Sequence, residues 1–265
     1  MYETTYHRAS SVDEATALFG KGKEAKFLSG GQTLLPVMKQ RLAAPSDVID
    51  VARIKELVGI EASADTLTIK AATTHYDVSQ SDAVRKSIPA IADLASMIGD
   101  PAVRHRGTIG GSPANNDPAA DYPAAVLALG ATIKTNKRSI AAHDFFKGLF
   151  TTALEDGEII TAVSFPIPEK AGYAKFPNPA SRFAIVGVFV AKTSGGVRVA
   201  VTGAGPWVFR LAEAEARLAE SFTPEALDGL VVSQDNLNTD IHASAEYRAH
   251  VIVVMAKRAV AQAIG

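Results

Sequence analysis

The chain has 265 residues, enough to bury a sizeable core and to divide into two or three subdomains. A formal charge of −1 gives no electrostatic reason to expect nucleic acid or an anionic membrane surface as partner. Cysteine is absent, which excludes disulfides, thiolate metal sites, cysteine nucleophiles and iron–sulfur clusters within this chain.

The opening residues, MYETTYHRASSVDEA, lack the apolar run of a signal peptide, and no stretch approaches 18 apolar residues. The expectation is a cytoplasmic protein without a membrane span. Ser11 and Glu14, three apart, read as a capping box that opens a helix through Phe19. Lys26-Phe27-Leu28 is a short strand running into Ser29-Gly30-Gly31-Gln32-Thr33, and a helix starts at Thr33, with Pro36 tolerated in its first turn. Strand, glycine loop and helix start in that order aim backbone donors at phosphate. Val48 to Val51 is a second buried strand, and residues 1–55 form a small α/β unit.

From Leu57 the pattern changes to strands, Leu57 to Glu61 and Thr66 to Ala71. Thr74 caps a helix through Ser79, Ile88 to Ile98 is an apolar helix, and Asp100-Pro101 stops it. Asp121 to Leu129 is a helix ending near Gly130. Thr132 to Lys134 and Ile159 to Phe165 are strands, and a boundary is placed after Pro168. Gly172 to Lys175 restarts as a strand. Phe183 to Lys192 and Val197 to Thr202 flank the hairpin turn Ser194-Gly195-Gly196. Helices follow at Phe209 to Ala219, Pro224 to Val231 and Ala245 to Ala263.

The stretch from Arg104 to Pro123, RHRGTIGGSPANNDPAADYP, carries the densest set of small polar residues. Its double glycine, Gly110-Gly111, pairs with Gly30-Gly31 upstream. Adjacent glycines let amides converge on an anion without Cβ atoms in the way. One extended ligand with a diphosphate held from both sides fits the pair, and two simple tight turns remain the alternative. Neither the P-loop pattern nor the Gly-x-Gly-x-x-Gly fingerprint is present, and Gly111-Ser112-Pro113-Ala114 misses the nucleophile elbow.

With these residues in hand, the chain resembles the medium, FAD-binding subunit of the molybdenum hydroxylases, the group of xanthine dehydrogenase and aerobic carbon monoxide dehydrogenase. The matching motifs are LSGGQTLLPVMKQRL (28–42), DPAVRHRGTIGGSPANNDPAADYPAAVLALGA (100–131), GEIITAVSFPIP (157–168) and AEYRAHVIVVMAKRAV (245–260). The resemblance implies that Leu28, Ser29, Gly30, Gly31, Gln32, Thr33, Leu34 and Leu35 hold the FAD diphosphate. Thr108, Ile109, Gly110, Gly111 and Ser112 would line its other side and the flavin. Asp121 would accept from the ribose or adenine end, Ile160 would pack on the cofactor, and Lys175 would lie near the isoalloxazine. Ser112 stands where the family usually has Asn. Arg182 reverses the sign of a common acidic residue, which leaves open the side from which an acceptor approaches.

Six histidines show no metal-ligand spacing, and each is expected in a loop or on the surface. Asp117 and Asp121 are four apart, but Asp117-Pro118 reads as a turn. Arg104, His105 and Arg106 form a basic cluster that suits solvent or phosphate equally.

The expectation is an α+β protein. Its two-part FAD-binding fold, a small α/β unit (1–55) and a mixed-sheet middle part (56–168), is followed by a C-terminal antiparallel sheet with helices (169–265). The resemblance implies an FAD-dependent oxidoreductase subunit that carries electrons from partner clusters to an external acceptor. The partners it implies are a large molybdopterin subunit and a small [2Fe–2S] subunit, arranged as a dimer of heterotrimers. A freestanding flavin oxidoreductase and a cofactor-free assembly protein of the same fold are the alternatives.

Overall fold

A computed structural model describes all 265 residues, Met1–Gly265. The N-terminal part is a three-stranded parallel sheet in the order Thr5–Arg8, Asp47–Asp50, Ala25–Leu28. Its helix Val12–Phe19 starts at Ser11, whose hydroxyl accepts from the Glu14 amide at 3.1 Å. The Glu14 carboxylate reaches back to Ser10 N at 2.8 Å, one residue earlier than the capping box predicts.

The middle part is a five-stranded antiparallel sheet. Its order is Ile60–Ala62, Thr66–Lys70, Ile160–Pro166, Thr132–Thr135, Ser139–Ala141. Alternation inside Thr66–Lys70 turns Leu67 and Ile69 inward, both fully buried. The helices His75–Gln80, Asp82–Ser87, Pro89–Ser96 and Tyr122–Leu129 cover that face. Tyr122–Leu129 is apolar all round and is buried on nearly every side, because it lies between the middle and C-terminal sheets.

The C-terminal part is a four-stranded antiparallel sheet, Lys170–Pro177, Ala184–Thr193, Gly196–Thr202 and Phe209–Arg210. The helix Ala245–Ile264, capped by the Ser244 hydroxyl, packs Val251, Ile252, Met255 and Ala259 onto it. Gly172 permits the approach: a Cβ there would lie 2.0 Å from Ala259 O. Buried Arg248 pins the start of the helix by donating to Ile185 O at 2.7 Å and Gly203 O at 3.0 Å. The seam to the middle part is hydrogen-bonded as well, with Thr202 Oγ1 donating to Ala120 O at 2.6 Å.

The fold class matches the α+β expectation; the strands Thr5–Arg8, Ser139–Ala141, Phe146–Gly148 and Thr151–Thr152 and the short helices Gly111–Asn115 and Ala142–Phe145 are additional to the expected elements, and other elements depart from it. Leu57 to Glu61 is not one strand: a 3-10 turn, Lys55–Leu57, precedes Ile60–Ala62, because Gly59 at φ +141° breaks the run. Asp82–Ser87 is an additional helix, capped by Ser81. The apolar helix is Pro89–Ser96 and ends before Asp100, which instead starts the next helix, Pro101–Arg104, by accepting from Val103 N at 3.0 Å. The stretch from Phe209 opens as a strand, and its helix begins only at Ala212. Pro224 to Val231 is a single 3-10 turn, Pro224–Leu227.

Candidate functional site

The first glycine loop leaves the carboxyl end of the strand Ala25–Leu28, and the second runs past it from the middle part. Gly30 is where they cross. A Cβ on Gly30 would lie 2.2 Å from Arg106 O and 2.6 Å from Gly107 Cα, so only glycine allows the two backbones this close. A hydrogen bond between Ser29 Oγ and Thr108 Oγ1, at 2.9 Å, ties the loops beside the crossing. Gly31 follows at φ +71°, a conformation that costs any other residue strain.

Between the loops opens a cleft of about 630 Å³, within the range of cofactor-sized pockets. The amides of Gly30, Gly31, Gln32 and Thr33 donate to no backbone or side-chain acceptor in the chain. Four successive unengaged donors form a concavity of positive partial charge, which suits an anion. The second double glycine works differently. Ile109 N donates to Thr73 O at 3.1 Å, Gly110 N to Ala71 O at 2.8 Å, and Ser112 N to Thr108 O at 3.2 Å. Gly111 N donates to Thr108 Oγ1 at 3.2 Å. Those amides build the wall and offer nothing to a ligand; Gly110 is required because a Cβ would meet Ala71 Cβ at 2.5 Å.

All the expected site residues line this cleft except Leu35, Ile109 and Lys175. Leu35 folds back beneath Gly31, and Ile109 is fully buried in the middle core. Lys175 is buried beside the cleft, with its ammonium 2.9 Å from Asp121 Oδ1 and donating to Met97 O at 3.1 Å. The Tyr173 hydroxyl donates to Asp121 Oδ1 at 2.5 Å. Asp121 lines the cleft, yet both of its oxygens are already engaged within the chain. Burial pushes the Asp121 carboxyl up, against the pull of Lys175 and Tyr173. Asp117 makes the expected turn, accepting from Ala119 N at 2.9 Å.

Three further groups on the cleft were not singled out from the sequence as site residues, or were given another place there. His75, expected in a loop or on the surface with the other histidines, is buried in the first turn of its helix and lines the cleft. Its spacing to Val78 and Ser79, three and four residues on, is the signal that marks it as inward-facing. Glu158 is held by Arg138 Nε at 3.1 Å and Thr135 Oγ1 at 2.7 Å. Burial opposes its ionisation, but the bonds from Arg138, Glu155 N and Thr135 outweigh that and hold its carboxyl down at about 2. Arg182, at φ +63°, brings its positive charge to the rim. Arg104 is half-buried, and its Nη1 donates to Ile98 O and Gly99 O, both at 3.0 Å, which ties that side chain to the segment before its helix.

Burial, helped by the Arg104 charge, lowers His75 to about 4 from its ordinary 6.5. The unfolded chain therefore takes up a proton near pH 6.5 that the folded chain refuses until about pH 4. The penalty is absent above the first value and complete below the second, and amounts to about 3 kcal/mol. Denaturant unfolding between pH 7 and 4 is expected to show this loss in the wild type and not in His75→Leu. Equal pH slopes for the two proteins would refute it.

Residues 2–168 match the family described as the FAD binding domain in molybdopterin dehydrogenase, and residues 171–263 match the CO dehydrogenase flavoprotein C-terminal domain. The chain is 34% identical to the carbon monoxide dehydrogenase medium chain of Hydrogenophaga pseudoflava, covering 96% of this chain and 94% of that one. Against the nicotine 6-hydroxylase medium subunit of Paenarthrobacter nicotinovorans the identity is also 34%, over 97% and 96% of the two chains. The fold superposes on a chain of the Cu,Mo-CO dehydrogenase crystal structure with a TM-score of 0.89 at 33% identity, covering 99% and 98% of the two chains.

Proposed function

Because the chain belongs to the FAD-binding medium-subunit family of the molybdenum hydroxylases, we propose that the cleft between its two glycine loops holds FAD and serves electron transfer to an external acceptor. The observation that carries this reading is the run of four unengaged amides, Gly30 to Thr33, on a cleft of cofactor size. A diphosphate needs several converging donors and no competing carboxylate, and this loop supplies the donors. Thr108, Gly110, Gly111 and Ser112 form the opposite wall, fixed by their own hydrogen bonds, and Ile160 offers an apolar surface. When bound, a flavin supplies redox chemistry in one- and two-electron steps.

The chain's own residues orient the group and set the charge around it. Lys175 acts through Asp121 and the Met97 carbonyl, so that it fixes the floor of the cleft from below. Arg182 and Glu158 place one positive and one negative charge on the lining, and these bear on the potential of a bound flavin. With no cysteine, the chain holds no iron–sulfur cluster, so electrons reach it from partner subunits. The proposed assembly is a dimer of heterotrimers with a large molybdopterin subunit and a small [2Fe–2S] subunit, located in the cytoplasm. The proposed units are 1–55, 56–168 and 169–265. No helix is long and apolar enough to cross a membrane.

The purified chain is expected to be yellow and to release FAD on denaturation, close to one per chain. In the assembled enzyme, stripping FAD is expected to abolish reduction of the external acceptor, while substrate still bleaches the iron–sulfur absorbance. A chain that takes up no FAD alone or with its partners would overturn the cofactor assignment. Acceptor reduction unchanged by stripping would overturn the electron-transfer role.

A further inference from the structure

The crevice at the carboxyl ends of the parallel sheet contains a second concavity, of about 320 Å³, beside the first. Ligands of open α/β sheets gather at this edge. Arg8 ends the strand Thr5–Arg8, Arg53 follows the end of Asp47–Asp50, and Arg106 comes from the turn before the second glycine loop. All three side chains line the pocket, and no hydrogen bond or ion pair within the chain engages any of them. The one carboxylate present, Asp50, is occupied by neutral donors: Tyr6 Oη at 2.6 Å and Ala52 N at 2.9 Å. His105 stacks on Tyr76 with ring centroids 4.1 Å apart and directs Nδ1 to Pro101 O at 2.7 Å, which leaves Nε2 as its free nitrogen.

Three arginines line one small concavity, and the single negative charge of Asp50 offsets only part of theirs. Arginine forks pair bidentately with carboxylate and phosphate alike, but a tetrahedral oxyanion carries more charge and accepts from several directions at once, so a single one can meet more than one of these arginines. The pocket shares only Ala72 and Thr108 with the cleft, and the Ser29–Thr108 bond forms part of the partition. The amides of Gly30 to Thr33 lie on the cleft side of that partition.

We propose that the Arg8–Arg53–Arg106 pocket binds a second phosphate-bearing anion, distinct from the cofactor, as an inorganic oxyanion or as the phosphate end of a nucleotide. This inference stands on the pocket alone and survives a failure of the FAD reading.

The test is calorimetric titration of the FAD-saturated full chain, at fixed ionic strength, with inorganic pyrophosphate and separately with ADP. FAD release is followed by absorbance of the filtrate. Saturable binding is expected, weakened at least about tenfold in Arg53→Gln and in Arg106→Gln, as for loss of one charge-assisted bond. FAD content should stay unchanged in both variants, whose replaced side chains are exposed. Tighter binding of ADP would identify a nucleotide, equal binding a simple oxyanion, and either supports the site. Absence of saturable heat, affinities unaltered in both variants, or binding that expels FAD would overturn it. Binding of oligoglutamate but of neither phosphate compound would also overturn it, in favour of an acidic protein surface. If the chain takes up no FAD at all, the pyrophosphate titration still decides this proposal separately.

Discussion

Replacing Lys175 with methionine is expected to lower the unfolding free energy by about 3–5 kcal/mol, the usual cost of removing one partner from a buried ion pair. The Lys175 and Asp121 side chains are only 2% and 4% exposed, so water cannot take over the lost interaction. The variant leaves the carboxylate with Tyr173 as its one side-chain donor and frees the Met97 carbonyl. Met97 precedes Ile98 and Gly99, which lie on the cleft, so FAD occupancy should fall together with stability. Asp121→Asn alone should also be costly. The double variant should cost less than the sum of the two, because no unpaired charge remains.

The pH dependence has a definite sign. Burial already raises the Asp121 carboxyl above its ordinary value, and losing Lys175 raises it further. The folded Lys175→Met chain then binds a proton that the unfolded chain releases, so the variant regains stability as pH falls. Denaturant midpoints at pH 5 and pH 8 measure this. A loss below about 1 kcal/mol at pH 8, in the range of exposed pairs, would show that the pair is not buried in solution.

Gly30→Ala is the second large effect. The added Cβ would lie 2.2 Å from Arg106 O and 2.6 Å from Gly107 Cα, both backbone atoms that no rotamer change can move. The two loops must separate, straining or breaking the Ser29–Thr108 bond and spreading the Gly30–Thr33 amides. Overpacking of this kind costs about 1–3 kcal/mol, and more where backbone has to shift. FAD affinity is expected to fall by at least about tenfold, with the C-terminal part of the chain unperturbed. Gly31→Ala is the informative comparison. Its Cβ would meet Leu35 Cδ1 at 2.9 Å, the movable end of a side chain, although the φ of +71° still strains it. FAD titration of both variants, beside their thermal midpoints, checks the ranking. Full FAD affinity in Gly30→Ala would show that the loop crossing does not shape the cleft.

Much of this protein was legible in its residues because the signals are local. The Ser11 cap, the Gly30-Gly31 and Gly110-Gly111 loops, the Ser194-Gly195-Gly196 hairpin and the amphipathic closing helix are set within a few positions of chain. Those elements, with the motifs around them, gave the α+β class and the FAD-binding family. Long-range pairing decided the rest. Two glycine loops alike in sequence differ in the donors they leave open, because Thr73 and Ala71 take the Ile109 and Gly110 amides of the second and nothing takes the Gly30 to Thr33 amides of the first. Asp121 and Lys175, 54 positions apart, meet each other in the interior, because the strand Lys170–Pro177 crosses beneath the cleft. His75 looks like five other histidines until the packing around its helix removes it from water. Motif and capping arise from neighbours along the chain, whereas burial and hydrogen-bond partnership exist only once distant segments have met.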